Sequence, residues 1–94
     1  MNRSELIQIL ASKYDLKNGD AAESVKIVLD AITERLESGE RVEIRGFGSF
    51  HIVARAGRVG RNPKTGEVVL VPPKKIPHFK PGKELKDRVH QSGN

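Results

Sequence analysis

The 94-residue chain contains no cysteine and no tryptophan, and its aromatic residues are three phenylalanines and one tyrosine. The absence of cysteine excludes disulfides and thiolate metal sites. The three histidines, His51, His78 and His90, are far apart and lack the short spacing of a metal-binding pair. Neither a metal nor a cofactor is therefore expected. No apolar run approaches the roughly 18 residues needed to cross a bilayer. The opening residues, Met1 to Leu6, lack the apolar stretch of a secretory signal. A cytoplasmic location without membrane contact is expected. A chain this short buries only about two-thirds of its unfolded surface. With disulfides and metals excluded, the remaining support for so small a core is a second subunit.

Charge is present in plenty and unevenly placed. Residues 1–40 hold 5 Lys and Arg against 8 Asp and Glu, a balance of −3, and residues 41–94 hold 12 against 4, a balance of +8; the two spans cover the whole chain and its net +5. Solubilising charge alone would need no such division. An acidic first part joined to a basic remainder reads as a scaffold carrying a polyanion-binding face.

The scaffold part has the helical period. Asn2-Arg3-Ser4-Glu5 has a capping-box pattern, and Leu6, Ile7, Leu10, Ala11 and Tyr14 follow at helical spacing, so a first helix is expected to about residue 14. Asn18-Gly19-Asp20 breaks the pattern and offers a second cap. Ala22, Val25, Val28, Leu29, Ile32 and Leu36 then line one stripe of a long second helix, which Gly39 is suited to end. Two helices joined by a turn raise the possibility of major-groove reading. The second helix carries Glu23, Asp30, Glu34 and Glu37 against Lys26 and Arg35. Phosphates would repel it, so both helices read as packing elements of a dimer core.

From residue 41 the period becomes two. Arg41-Val42-Glu43-Ile44-Arg45 alternates as a half-buried strand does. Gly46-Phe47-Gly48 marks a tight turn, and a second strand runs from Ser49 to about Ala56 with Phe50, Ile52 and Ala54 on one face. Residues 55–75 have little to bury before Val68, and Arg55, Arg58, Arg61 and Lys64 recur every third residue. Asn62-Pro63-Lys64-Thr65-Gly66 is a turn signal between two strand-like stretches, which together read as a protruding hairpin. A two-stranded ribbon without a core is marginal in water. Lys74 to Phe79 reads as a third body strand that Pro77 restricts to an edge or an end. Lys80-Pro81-Gly82-Lys83 reads as the start of a short last helix with Pro81 in its first turn and Leu85 and Val89 as anchors, and Gln91 to Asn94 as a frayed tail.

The fold class expected is therefore α+β. One domain spans 1–94: a helical dimerisation part at 1–39, an antiparallel three-stranded sheet at 40–79 with an arm at about 55–73, and a C-terminal helix at 80–90. From Arg55 to Lys83 there are eight cations (Arg55, Arg58, Arg61, Lys64, Lys74, Lys75, Lys80, Lys83) and one acid, Glu67. Such a segment gains affinity for duplex DNA by releasing condensed counterions, whatever the base sequence. Arginines favour a narrow minor groove, where the negative potential is enhanced. Pro63, apolar and fixed in φ, is suited either to wedging between base pairs or simply to making the turn. Asn62 is suited to a base edge or to closing the turn.

Gly46-Phe47-Gly48-Ser49-Phe50, followed by Arg55, Arg58, Gly60, Asn62-Pro63 and Thr65, resembles the signature of the HU and integration host factor family at that family's own spacing. The preceding segment, Gly39 to Arg45, and the following one, Pro77 to Leu85, are similar to the β-type branch of integration host factor. The resemblance extends over nearly the whole chain. The family is itself a standing example of minor-groove binders that insert apolar wedges, so that mechanism comes with the resemblance. It implies an intertwined dimer, either of identical chains or with a related α-type subunit. Pro63 would intercalate, and Arg55, Arg58, Arg61, Asn62 and Lys64 would be arm contacts. Arg45 would reach the minor groove with Glu43 orienting arginines there. Arg3, Ser4, Lys74, Lys80 and Lys83 would clamp flanking phosphates, and Phe47, Phe50 and Phe79 would fill the dimer core. The partner implied is double-stranded DNA in the bacterial nucleoid, with no small-molecule ligand. The implied function is sharp bending that serves recombination, transcription regulation and nucleoid organisation; a non-specific HU-like homodimer is the alternative. Lys17 departs from the family's small polar cap, which moves the expected start of the second helix to Asn18. Ala56-Gly57 stands where a stiffer residue is usual, so with Gly60 it implies a more flexible arm.

Two other classes compete with DNA bending. Basic hairpins also bind RNA, but sequence readers of RNA stack bases on exposed aromatics, and here all three phenylalanines are at core positions. Gly60 to Gly66 has the wrong spacing for a phosphate loop and no Gly-Lys-Ser/Thr, and no nucleophile and base are paired by any motif, so no enzyme is expected.

Overall fold

In a computed structural model, which describes residues 1–92, the elements run α1 (Arg3–Lys13), α2 (Asn18–Glu37), β1 (Val42–Ile44), β2 (Gly48–Arg55), β3 (Arg58–Arg61), β4 (Val68–Val71), β5 (Lys74–Pro81) and α3 (Lys83–Gln91). The class is α+β, with three helices and antiparallel sheets. Two compact units divide the chain, residues 1–35 and 36–94.

The first unit holds α1 and most of α2. Asn2 caps α1: its side-chain oxygen accepts the Glu5 amide at 2.8 Å. Helix α2 starts at Asn18, the first residue of the Asn18-Gly19-Asp20 signal. The carbonyl of Lys17 accepts the first intrahelical bond, from the Ala21 amide at 3.0 Å, so Lys17 holds the cap position and Asp20 lies in the first turn. An acid there suits the positive end of the helix dipole. Past the end of α2, Gly39 adopts φ +84° and donates its amide to Leu36. The buried apolar residues are few and small: Ala11, Ala21 and Val25. Leu6, Ile9, Ile27, Val28 and Leu29 are exposed.

The second unit is built on a three-stranded antiparallel sheet in the order β1-β2-β5. Pro77 lies on the edge strand β5, opposite Ile52, where its missing N–H interrupts no interior ladder. Register and alternation sort the side chains onto two faces. Val42, Ile44, Phe50, Ile52, Pro77 and Phe79 share one face; Glu43, Ser49, His51, Val53, Arg55, Lys74, Ile76, His78 and Lys80 share the other. On the apolar face the Phe79 ring packs 4.8 Å from Phe50 and 5.3 Å from Phe47, centroid to centroid. Tilted pairs at this range suit aromatic quadrupoles.

The C-terminal helix differs from the expected 80–90. Lys80 and Pro81 belong to β5, paired with Ser49 and Gly48, and α3 begins at Lys83 with Gly82 as its cap residue. The Gly82 amide is instead given to the Phe47 carbonyl at 2.9 Å, which ties the helix start to the β1–β2 turn. Of the expected tail, Gln91 closes α3 and Ser92 caps it, while Gly93 and Asn94 lie outside the described residues. Among the described residues no helix is long and apolar enough to cross a membrane.

Candidate nucleic-acid interface

The arm is a ladder of its own. Strands β3 and β4 pair antiparallel, from Arg58 opposite Val71 to Arg61 opposite Val68, as a two-stranded sheet distinct from the body sheet. The break falls at Ala56-Gly57 on one side and Pro72-Pro73 on the other. Two consecutive prolines supply no N–H, so the ladder has no donors there. Alternation then sends Arg58 to one face of the ribbon and Arg61 to the other. Spacing by three therefore distributes cations to both sides of the arm.

The tip is tightly wound. Asn62 donates its amide to Glu67 at 2.8 Å and accepts the Gly66 amide at 2.7 Å on its carbonyl. Its side-chain oxygen accepts the Lys64 amide at 2.9 Å, so this side chain closes the turn. Pro63 and Lys64 are exposed at the outer end.

At the arm's root, Arg55, Arg58 and Lys74 line an open cavity of about 560 Å³ with Val53, Val71 and Ile76. Arg55 and Lys74 are direct cross-strand partners. A second, more open groove of about 770 Å³ brings together Glu43, Arg45, Lys80 and Lys83, with Arg41 and Glu84 beside them. Glu43 here pairs with Arg41, at 3.0 Å, an arginine the sequence reading did not single out. Arg3 and Ser4 lie in the first turn of α1, in the other unit. The predicted site residues thus fall into a tip, a root, a groove and a helix start.

The structure also joins two residues the sequence reading set apart. His51 and His78 are directly opposite in the β2–β5 register, with ring centroids 5.4 Å apart. Their separation of 27 positions hides this; only the pairing of β2 with β5 reveals it. Among the described residues there is no group of three or more acidic or histidine side chains able to hold a metal.

A family profile described as "Bacterial DNA-binding protein" matches residues 1–90. Integration host factor subunit beta of Bordetella parapertussis is 57% identical over 95 residues, covering 100% of this chain and 80% of that protein. The same subunit of Saccharophagus degradans is 55% identical over 93 residues, covering 98% and 95%. Among solved structures, HU in an Anabaena HU–DNA cocrystal superposes with a TM-score of 0.87 at 36% identity, covering 97% of this chain and 99% of that one. A profile match from Met1 into α3, with relatives aligned over almost every residue, makes this chain a member of the HU and integration host factor family of bacterial DNA-binding proteins.

Proposed function

We propose that the chain is one subunit of a dimeric architectural protein that binds duplex DNA in the minor groove and bends it by wedging Pro63 between base pairs. The observation that carries this is the arm: a separate two-stranded ribbon with cations on both faces and an exposed proline at its tip. Phosphates line both walls of a minor groove, so a ribbon lying in it meets negative charge on either side. Arg55, Arg58, Arg61 and Lys64 serve the arm, with Asn62 holding the tip turn in shape. Arg45 reaches the minor groove; Lys80 and Lys83, beside it in the 770 Å³ groove, take flanking phosphates with Lys74, Arg3 and Ser4. Relatives named integration host factor subunit beta favour pairing with an α-type subunit over an HU-like homodimer. The binding role needs no reaction, and we assign none.

Bending a site of 20–30 base pairs through 40–90° costs on the order of 1–6 kcal/mol. Wedges localise that cost at kinks, and flank contacts that exist only on curved DNA offset it. The test is Pro63→Ala on a duplex of about 35 base pairs, with bend angle read by energy transfer between the DNA ends and affinity by titration. The bend should fall by a larger fraction than the affinity. An unchanged bend would reject the wedge.

A further inference from the structure

On the polar face of the body sheet, four cross-strand rows follow one another: Ser49–Lys80, His51–His78, Val53–Ile76 and Arg55–Lys74. Successive rows on one face of an antiparallel pair are about 7 Å apart. The histidine pair therefore sits between two cationic rows, next to Lys80 and one apolar row away from Arg55 and Lys74. Glu43 of β1 faces the same side opposite Ser49, and its carboxylate is engaged by Arg41 at 3.0 Å. His51 is half-buried and His78 exposed, so solvent and ligand reach the pair from above the sheet.

We propose that His51 and His78 form a single phosphate-contact site for duplex DNA that is completed by proton uptake on binding. The proposal rests on the DNA-binding reading above. Imidazole is the side chain that ordinarily gains charge between pH 8 and pH 5. Charging both rings, whose centroids are 5.4 Å apart, beside Lys80 carries a repulsion that only an anion over the pair offsets. A phosphate laid over the pair removes that repulsion and favours the doubly charged form, so the complex holds more protons than the free protein. By linkage, affinity then rises as pH falls. The surroundings favour an anion over a metal cation: Lys80, Lys74 and Arg55 share the face, and its one carboxylate, Glu43, is paired to an arginine. Metal chelation would have the opposite pH dependence, because ligating imidazoles must be unprotonated.

The test is a titration of the full-length dimer, with whatever subunit copurifies, against a 35-base-pair duplex at pH 6.0 and pH 8.0, at fixed ionic strength, in parallel with and without EDTA. Wild type should bind about tenfold more tightly at pH 6.0, and its salt dependence should steepen by about one contact. The variants H51Q and H78Q should each flatten the pH response, and the double variant should abolish it. Circular dichroism of each variant verifies that the substitutions leave the fold intact. A double variant with the wild-type pH response overturns the proposal, as does wild-type affinity equal at the two pH values. Tighter binding at pH 8.0, or a response that appears only without EDTA, would make the pair a metal site and overturn it equally. Absence of any complex at either pH would bring down the DNA-binding reading itself, a result distinct from binding that ignores pH.

Discussion

A methyl group on Gly48 would lie 2.5 Å from the Lys80 carbonyl oxygen and 2.7 Å from the Phe79 ring. Both neighbours are fixed, one in the β5 backbone and one by the Phe47 and Phe50 rings against it. Neither can move aside as a flexible side chain would. Gly48→Ala should therefore cost roughly 1–3 kcal/mol, the usual range for overpacking a set contact. Urea unfolding of the variant measures it, and a midpoint equal to wild type would show that the sheet yields at this point. The need for a small residue here was legible in Gly46-Phe47-Gly48 only as a turn. That the second glycine is demanded by an aromatic ring 31 positions later was not, because the demand arises from register. The histidine pair was hidden for the same reason.

Element boundaries divide along a similar line. The switch from helical to alternating period between Leu36 and Val42 was plain in the sequence, and so were the arm's turn at Asn62 to Gly66 and the edge position of Pro77, since each follows from local chemistry. Lys80-Pro81 misled: proline before Gly-Lys-Glu has the form of a helix start, yet pairing with Ser49 and Gly48 keeps both residues in β5. A ladder to a neighbouring strand outweighed a local capping preference. The Pro72-Pro73 break has a measurable consequence. Amides in β3 and β4 are protected only by their own short ladder, so the arm should open without the body sheet. Amide hydrogen exchange should be faster by at least about tenfold at Gly60 and Val69, which face each other in the arm, than at His51 and His78, which face each other in the body sheet. Replacing Pro72 and Pro73 by threonine restores two donors and should slow exchange across the arm. If exchange in β3 and β4 already matches the body sheet, the arm and body form one cooperative ladder and the prolines are not a hinge.

At the scale of the molecule, the question is what covers the apolar residues that one chain leaves open. Among the described residues the buried apolar side chains are Ala11, Ala21 and Val25, and no large side chain is fully buried. Ile27 and Val28 are 60% and 57% exposed on a helix with no apparent need for them at its surface, and Phe47 is 43% exposed beside the Phe79 ring. Burying a side chain of this kind contributes about 1.5–3 kcal/mol. A chain that leaves so many uncovered lacks the main favourable term in its own folding, and in the dimer proposed above a partner subunit supplies it. Folding and association are then one process, and unfolding releases two chains from one particle. Each tenfold rise in protein concentration should stabilise the folded form by about 1.4 kcal/mol. For a particle of two such chains that corresponds to a rise in Tm of roughly 3–6 °C. Calorimetric scans over two decades of concentration, with sedimentation equilibrium alongside, measure both quantities. A Tm that does not move, together with the mass of a single chain, would mean that the exposed stripe of α2 is tolerated in water and that the two DNA-binding arms do not come from one stable particle.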